Sequence, residues 1–110
     1  MGATKTTDYT LQEMSIAKYA KAFSHPARVA ILNLLLKKQA CVCGDIVDEL
    51  PLSQSTVSQH LKELKEVGLI KGDIEGATVC YCIDEKVWNS AKQQFNQLFE
   101  KLNANNTKCC

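Results

Sequence analysis

Little in this chain would commit it to a membrane, an export route or a repeat architecture. It has no run long and apolar enough to cross a bilayer, no internal repeat and no low-complexity tract. The opening stretch MGATKTTDYT lacks the apolar core of a signal peptide. A cytoplasmic protein without a membrane partner is therefore expected. The Met-Gly-x-x-x-Thr start matches a myristoylation pattern and is read as chance, since no other feature points to a membrane. Charge of one sign is also scarce. A net charge of +1 announces no bulk attraction to nucleic acid. The one asymmetry is N-terminal, where Lys5, Lys18, Lys21, Arg28, Lys37 and Lys38 face only Asp8 and Glu13.

With 2 prolines and 5 glycines, these residues act as punctuation between periodic segments. At 110 residues the chain is read as one domain, 1–110, with 1–9 and 103–110 as flexible tails. A domain of this size gains stability from pairing with a second copy.

Cysteine is the exception to this scarcity. The 6 cysteines fall in three close pairs: Cys41/Cys43, Cys80/Cys82 and Cys109/Cys110. In a secreted chain they would form a disulfide scaffold. Without an export signal, cytosolic reductants keep them as thiols, which favours metal or redox chemistry. A thiol oxidoreductase or metal carrier would want Cys-x-x-Cys near a βαβ pattern, and the chain has neither. An enzyme acting on a small-molecule substrate is not expected.

Apolar spacing and capping residues divide the chain into segments. Thr10 with Glu13 forms a capping box before a helix carrying Leu11, Met14, Ala17 and Ala20 on one face. Ser24 reads as the N-cap of a second helix, with Pro26 in its first turn and Ala27, Ala30, Ile31, Leu34 and Leu35 inward. A short third helix lies between Cys43 and Pro51, carrying Asp45, Asp48 and Glu49 among Ile46, Val47 and Leu50. Ser53 caps a fourth, with Val57, Leu61 and Leu64 as its buried stripe, and Gly68 ends it. LIKGDI and TVCYCID alternate as a β-hairpin, and Asp84 caps a last helix bearing Val87, Ala91, Phe95, Leu98, Phe99 and Leu102. The fold expected is mainly α with a β-hairpin wing, a winged helix-turn-helix in the order α-α-α-α-β-β-α.

The fourth helix carries the main functional signal. Once Val57, Leu61 and Leu64 turn inward, Gln54, Ser55, Thr56, Ser58, Gln59, His60 and Lys62 remain for the outer surface. Gln pairs bidentately with adenine, hydroxyls reach bases or phosphates, and lysine neutralises phosphate. A solvated helix face would also be polar. For His60, base reading and pinning the helix by a hydrogen bond both stand open.

HPARVAILNLLL, STVSQHLKELKEVGLI and EGATVCYCID resemble the corresponding stretches of the ArsR/SmtB winged-helix repressors, from about Leu11 to Leu102. The resemblance implies a homodimer, paired through its first and last helices, that holds double-stranded operator DNA until an inducer binds. It places Gln54, Ser55, Thr56, Ser58, Gln59 and His60 in the major groove, with Lys62 and Lys71 on phosphates. Leu11, Met14, Phe95, Leu98, Phe99 and Leu102 are then the candidate dimer interface.

The zinc-type inducer site of that family needs His, Asp and Glu on the last helix. Here that helix holds no His, and Glu100 is the only acid in VWNSAKQQFNQLFEKLNANN. The arsenic-type pattern, Cys-Val-Cys at the start of the third helix, is resembled by Cys41, Val42 and Cys43. Gly44 stands where that pattern has an acid, and Ile46 stands where it has a third cysteine. Trivalent arsenic or antimony is the implied inducer, with the third ligand open among Cys80, Cys82, Cys109 and Cys110. Soft thiolates select such thiophilic centres over hard cations.

Cys43 also sits where Ser, Thr, Asp or Asn would cap the third helix, a change worth roughly 1 kcal/mol. On a helix, residues i and i+2 point about 200° apart; on an extended segment they share a side. Chelation by Cys41 and Cys43 therefore favours an extended segment ahead of the third helix. Cys80 and Cys82 share a face of the wing, where they could complete the ion's shell, form a second site or pack inward. A thiol redox or persulfide-sensing repressor of the same fold is the competing reading. It would pair thiols from different elements, because Cys-x-Cys disulfides are strained.

Overall fold

The computed structural model describes residues 8–38, 41–43, 50–75 and 78–102. Its elements run α1 (Leu11–Ala22), α2 (Pro26–Lys38), β1 (Val42–Cys43), α3 (Gln54–Val67), β2 (Ile70–Glu75), β3 (Thr78–Ile83) and α4 (Glu85–Phe99). The expected short helix falls on residues 44–49, which lie outside the described residues.

Local chemistry sets most of these boundaries. Thr10 and Glu13 close a full capping box at the start of α1. Ser53 Oγ accepts from the Thr56 amide at 3.3 Å and starts α3. Asp84 Oδ1 accepts from the Val87 amide at 3.2 Å and starts α4. Gly68 ends α3 with φ +94°, a left-handed conformation that disfavours any residue with a Cβ.

The second helix starts differently from expectation. Ser24 Oγ turns back to donate to the Lys21 carbonyl at 2.6 Å. His25 does the capping instead: its carbonyl accepts from Arg28 and Val29, and its Nδ1 accepts from the Ala27 amide at 3.0 Å. Pro26 has no N–H to be satisfied, so the first amide in need of a partner is that of Ala27, within reach of His25.

The core gathers Ile31, Leu32 and Leu35 of α2, Val57, Leu61 and Leu64 of α3, Leu69 and Ile70, with Ala22 and Ala91 from α1 and α4. The inward side of α1 is not the one expected. Tyr19, Ala22 and Phe23 pack on the core, while Leu11, Ala17 and Ala20 are exposed. The α4 helix ends at Phe99, with Glu100 as its C-cap, so Leu102 lies beyond it.

The hairpin belongs to a three-stranded antiparallel sheet in the order β1-β3-β2. Val42 pairs with Tyr81 and Cys43 with Cys80 on one side of β3. On the other side Lys71 pairs with Cys82, Gly72 with Tyr81 and Asp73 with Cys80. A Cβ at Gly72 would stand 3.2 Å from the Tyr81 ring, so glycine here lets that ring lie across the sheet.

Candidate nucleic-acid interface and thiol site

The α3 helix presents two unlike sides because its apolar residues recur at helical spacing. Val57, Leu61 and Leu64 are buried, whereas Gln54, Ser55, Thr56, Ser58, Gln59 and Lys62 are exposed. At its start, Ser53 Oγ lies 2.9 Å from Thr56 Oγ1 and 3.3 Å from Ser55 Oγ, so these hydroxyls form one small cluster. Ser58 and Gln59 lie one turn further along the exposed side.

His60 does not join that surface. It is 8% exposed, and its Nδ1 accepts a hydrogen bond from Arg28 Nε at 3.1 Å. Arg28 also donates from Nη1 to the Lys21 carbonyl at 3.0 Å, which links the end of α1, the start of α2 and the middle of α3. The His25 ring lies 4.5 Å from that of His60. Burial holds the His60 pKa below its ordinary value of 6.5, and the positive charges of His25 and Arg28 add to that, against a smaller opposite effect from Glu63. The imidazole is thus neutral at pH 7, with its acceptor aimed at Arg28 and its proton on Nε2. Residue 60 lies three after Val57 and four before Leu64, so the burial stripe was the signal for its place.

The cysteine positions of β1 and β3 meet across the sheet. Cys43 stands opposite Cys80. Extending that register by one residue sets Cys41 opposite Cys82, so the two Cys-x-Cys motifs lie side by side. Alternation along the strands sends Val42, Tyr81 and Ile83 to the core. The cysteines of β3 alternate with these residues along the strand. Cys80 is buried and disulfide-bonded. Cys41, exposed, and Cys82, half-buried, carry thiols. Both line one open cleft of ≈ 1050 Å³ with Leu35, Lys71, Asp84 and Trp88. Among the described residues, no group of three or more His, Cys, Asp or Glu converges as a metal site. Cys109 and Cys110 lie outside the described residues.

A third surface is apolar and uncovered in the single chain. Leu11 is 82% exposed, Phe99 and Leu102 each 68%, and Leu98 42%. Met14 and Phe95 are half-buried beside them. Phe95 stacks on Phe99 at 6.1 Å and meets Phe23 edge-on at 6.2 Å, which continues the core outward along α4. Gln12 Nε2 donates to Gln97 Oε1 at 3.0 Å and holds α1 beside α4.

Residues 25–71, from the His25 cap through α3 to Lys71, match the family described as bacterial regulatory protein, arsR family. An uncharacterized HTH-type transcriptional regulator of Methanocaldococcus jannaschii, MJ1325, is 42% identical over 73 residues, which cover 64% of this chain and 81% of that protein. The chain belongs to the ArsR/SmtB family.

A cadmium resistance transcriptional regulatory protein CadC homolog from Staphylococcus aureus is 39% identical over 74 residues. That match covers 66% of this chain and 60% of the relative, so the ArsR/SmtB chain here spans less than two thirds of that protein. The solved structure of an ArsR-like transcriptional regulator from Rhodococcus sp. RHA1 superposes with a TM-score of 0.71. It is 20% identical, with 84% of this chain and 86% of that chain covered, and it supports the winged-helix fold. The relatives are transcriptional regulators rather than enzymes. None of the described helices is long and apolar enough to cross a membrane.

Proposed function

We propose that this ArsR/SmtB chain is a cytoplasmic repressor that binds operator DNA as a homodimer and releases it when trivalent arsenic or antimony binds thiolates around Cys41 and Cys43. The carrying observation is the register that sets Val42 and Cys43, the end of the Cys-Val-Cys segment, beside Tyr81 and Cys80 of β3. It brings cysteines of the wing, Cys80 and Cys82, beside that segment, where the Ile46 position of the family pattern supplies none.

In this reading Gln54, Ser55, Thr56, Ser58 and Gln59 face the base edges, and Lys62 and Lys71 contact phosphates. His60 positions the helix from behind, through Arg28. The uncovered apolar side of α1 and α4 pairs with its copy, so two α3 helices reach two half-sites. The inducer acts by binding better to the DNA-free arrangement, and linkage makes the effect reciprocal. β1 precedes α3 along the chain, so a ligand held between β1 and the wing acts on the recognition helix through the residues that join them.

A gel shift with operator DNA, titrated with arsenite, antimonite and cadmium, tests this. Release at the lowest dose by the trivalent metalloids supports it, and release by none of them contradicts it. One observation favours a second reading. Cys80 is disulfide-bonded, which suits a repressor that responds to thiol oxidation. Release by a disulfide oxidant in the absence of any metalloid supports that alternative.

A further inference from the structure

Both histidines of the chain stand at one junction, where the end of α1, the start of α2 and the middle of α3 meet. Each uses its Nδ1 lone pair on a neighbour. His25 Nδ1 accepts from the Ala27 amide at 3.0 Å, and His60 Nδ1 accepts from Arg28 Nε at 3.1 Å. In the neutral form each ring therefore carries its proton on Nε2, and a second proton can enter only at Nδ1. There it turns an acceptor into a donor that faces another N–H. At His60 the conflict is also between two cations, because Arg28 stays charged. Arg28 holds the Lys21 carbonyl through Nη1 at 3.0 Å as well, so pushing it aside unties all three helices together. Gln59, next to His60 in the chain, is on the exposed side of α3, so a shift of His60 carries a base-reading side chain with it.

We propose that this histidine pair is an acid-sensitive latch, which holds α3 in its DNA-reading position while both rings are neutral and releases operator DNA when His60 takes up a proton. This rests on the DNA-binding reading above and involves no thiol. The groups around His60 come from three helices. From α2 come Arg28 and His25, whose ring lies 4.5 Å away; from α1, the end bearing Lys21; and from α3 itself, Glu63. Burial, His25 and Arg28 hold the ring neutral against the weaker pull of Glu63. The proton is better held where the junction has opened, so falling pH shifts the population towards that arrangement. DNA pulls the other way. Phosphates favour the charged form of a nearby base, so a protein held by charge alone binds more tightly in acid. Loss of affinity in acid is a signature that phosphate attraction cannot produce.

The test uses the full chain and a DNA duplex selected for binding from random sequence at neutral pH, with affinity read by fluorescence anisotropy down to about pH 5. Affinity should fall in acid, with a slope approaching about one decade per pH unit, the limit for one linked proton. The circular dichroism spectrum should stay that of the folded chain throughout. Imidazole NMR, with only 2 histidines to assign, should show His60 taking its proton as the hydrogen-bonded Arg28 Nε–H signal is lost. His25→Asn keeps an acceptor for the Ala27 amide but removes a charge that opposes protonation of His60, so the fall should begin at higher pH. His60→Asn should abolish the fall; each variant is compared with its own affinity at neutral pH, so a weaker binder still reports. Constant or rising affinity in the parent overturns the proposal. So does an equal fall in His60→Asn, or a fall that coincides with loss of the folded spectrum. Failure to bind any duplex at neutral pH removes the DNA-binding reading instead. The NMR titration of the free chain then decides the latch, and an Arg28 signal indifferent to the protonation of His60 overturns it.

Discussion

Arg28 Nε donates to His60 Nδ1 at 3.1 Å, and this bond joins the first turn of α2 to the buried side of α3. Because His60 is buried, truncating its donor leaves an acceptor without a partner. Arg28→Ala should therefore destabilise the fold by about 1–3 kcal/mol, read from the midpoint of denaturant unfolding. Operator affinity should fall with it, although neither residue lies on the exposed side of α3.

The same pair sets a pH dependence. The folded-state pKa of His60 is held below its ordinary value of 6.5, chiefly by burial. The unfolded chain thus binds this proton more readily than the folded one. The stability is fully present above pH 6.5 and is lost as pH falls through the lowered folded value. Melting temperature should drop between neutral and mildly acidic pH, with net proton uptake on unfolding. His60→Asn keeps a side-chain acceptor and does not titrate there, so its melting curve should drop less. An identical drop in both proteins would show that another group carries the effect.

For DNA reading, the informative change is the double substitution Ser58→Ala and Gln59→Ala. Both side chains are exposed on α3, so the fold should hold. Specific affinity should fall by about 1–3 kcal/mol for each base pair no longer read. Unchanged discrimination between operator and random DNA would remove these residues from the readout. Lys62→Ala should act on all sequences alike and reduce the salt slope of binding by about 0.9 for each phosphate it had neutralised.

Phe99 is 68% exposed in the single chain and stacks on Phe95 rather than entering the core. Phe99→Asp should leave the monomer folded but bury an unpaired charge at the two-fold contact. Sedimentation should then show monomers, which no longer hold two half-sites together. A fully dimeric variant would contradict the α1–α4 interface.

What could be read from residues alone divides along a physical line. Caps act locally, so Thr10, Ser53, Gly68 and Asp84 marked their helix ends in advance. The hairpin was legible because Val79, Tyr81 and Ile83 alternate with Cys80 and Cys82 over six residues. Two residues have no period, so β1 was not legible, and its partner lies far along the chain at Cys80 and Tyr81. The meeting of the two cysteine pairs is a tertiary fact of that kind. His25 displaced Ser24 as the α2 cap: its ring nitrogen accepts from the Ala27 amide, while the Ser24 hydroxyl donates back to Lys21. His60 looked polar in a polar run, yet it occupies a stripe position, and Arg28 supplies the partner that makes its burial tolerable. On α1 two candidate faces overlap, and the aromatic one, Tyr19 with Phe23, fills the space beside α4 better than alanines do.

The central claim is that the thiols of β1 serve release of DNA rather than its binding. The most direct measurement is the dose of arsenite needed to strip phosphine-reduced protein from operator DNA, compared among the parent, Cys41→Ser and Cys43→Ser. The expected result is that both variants bind operator about as well as the parent and stay bound at doses that release it. If Cys41→Ser lets go with the parent's dose response, the Cys-Val-Cys segment is structural and the inducer acts elsewhere.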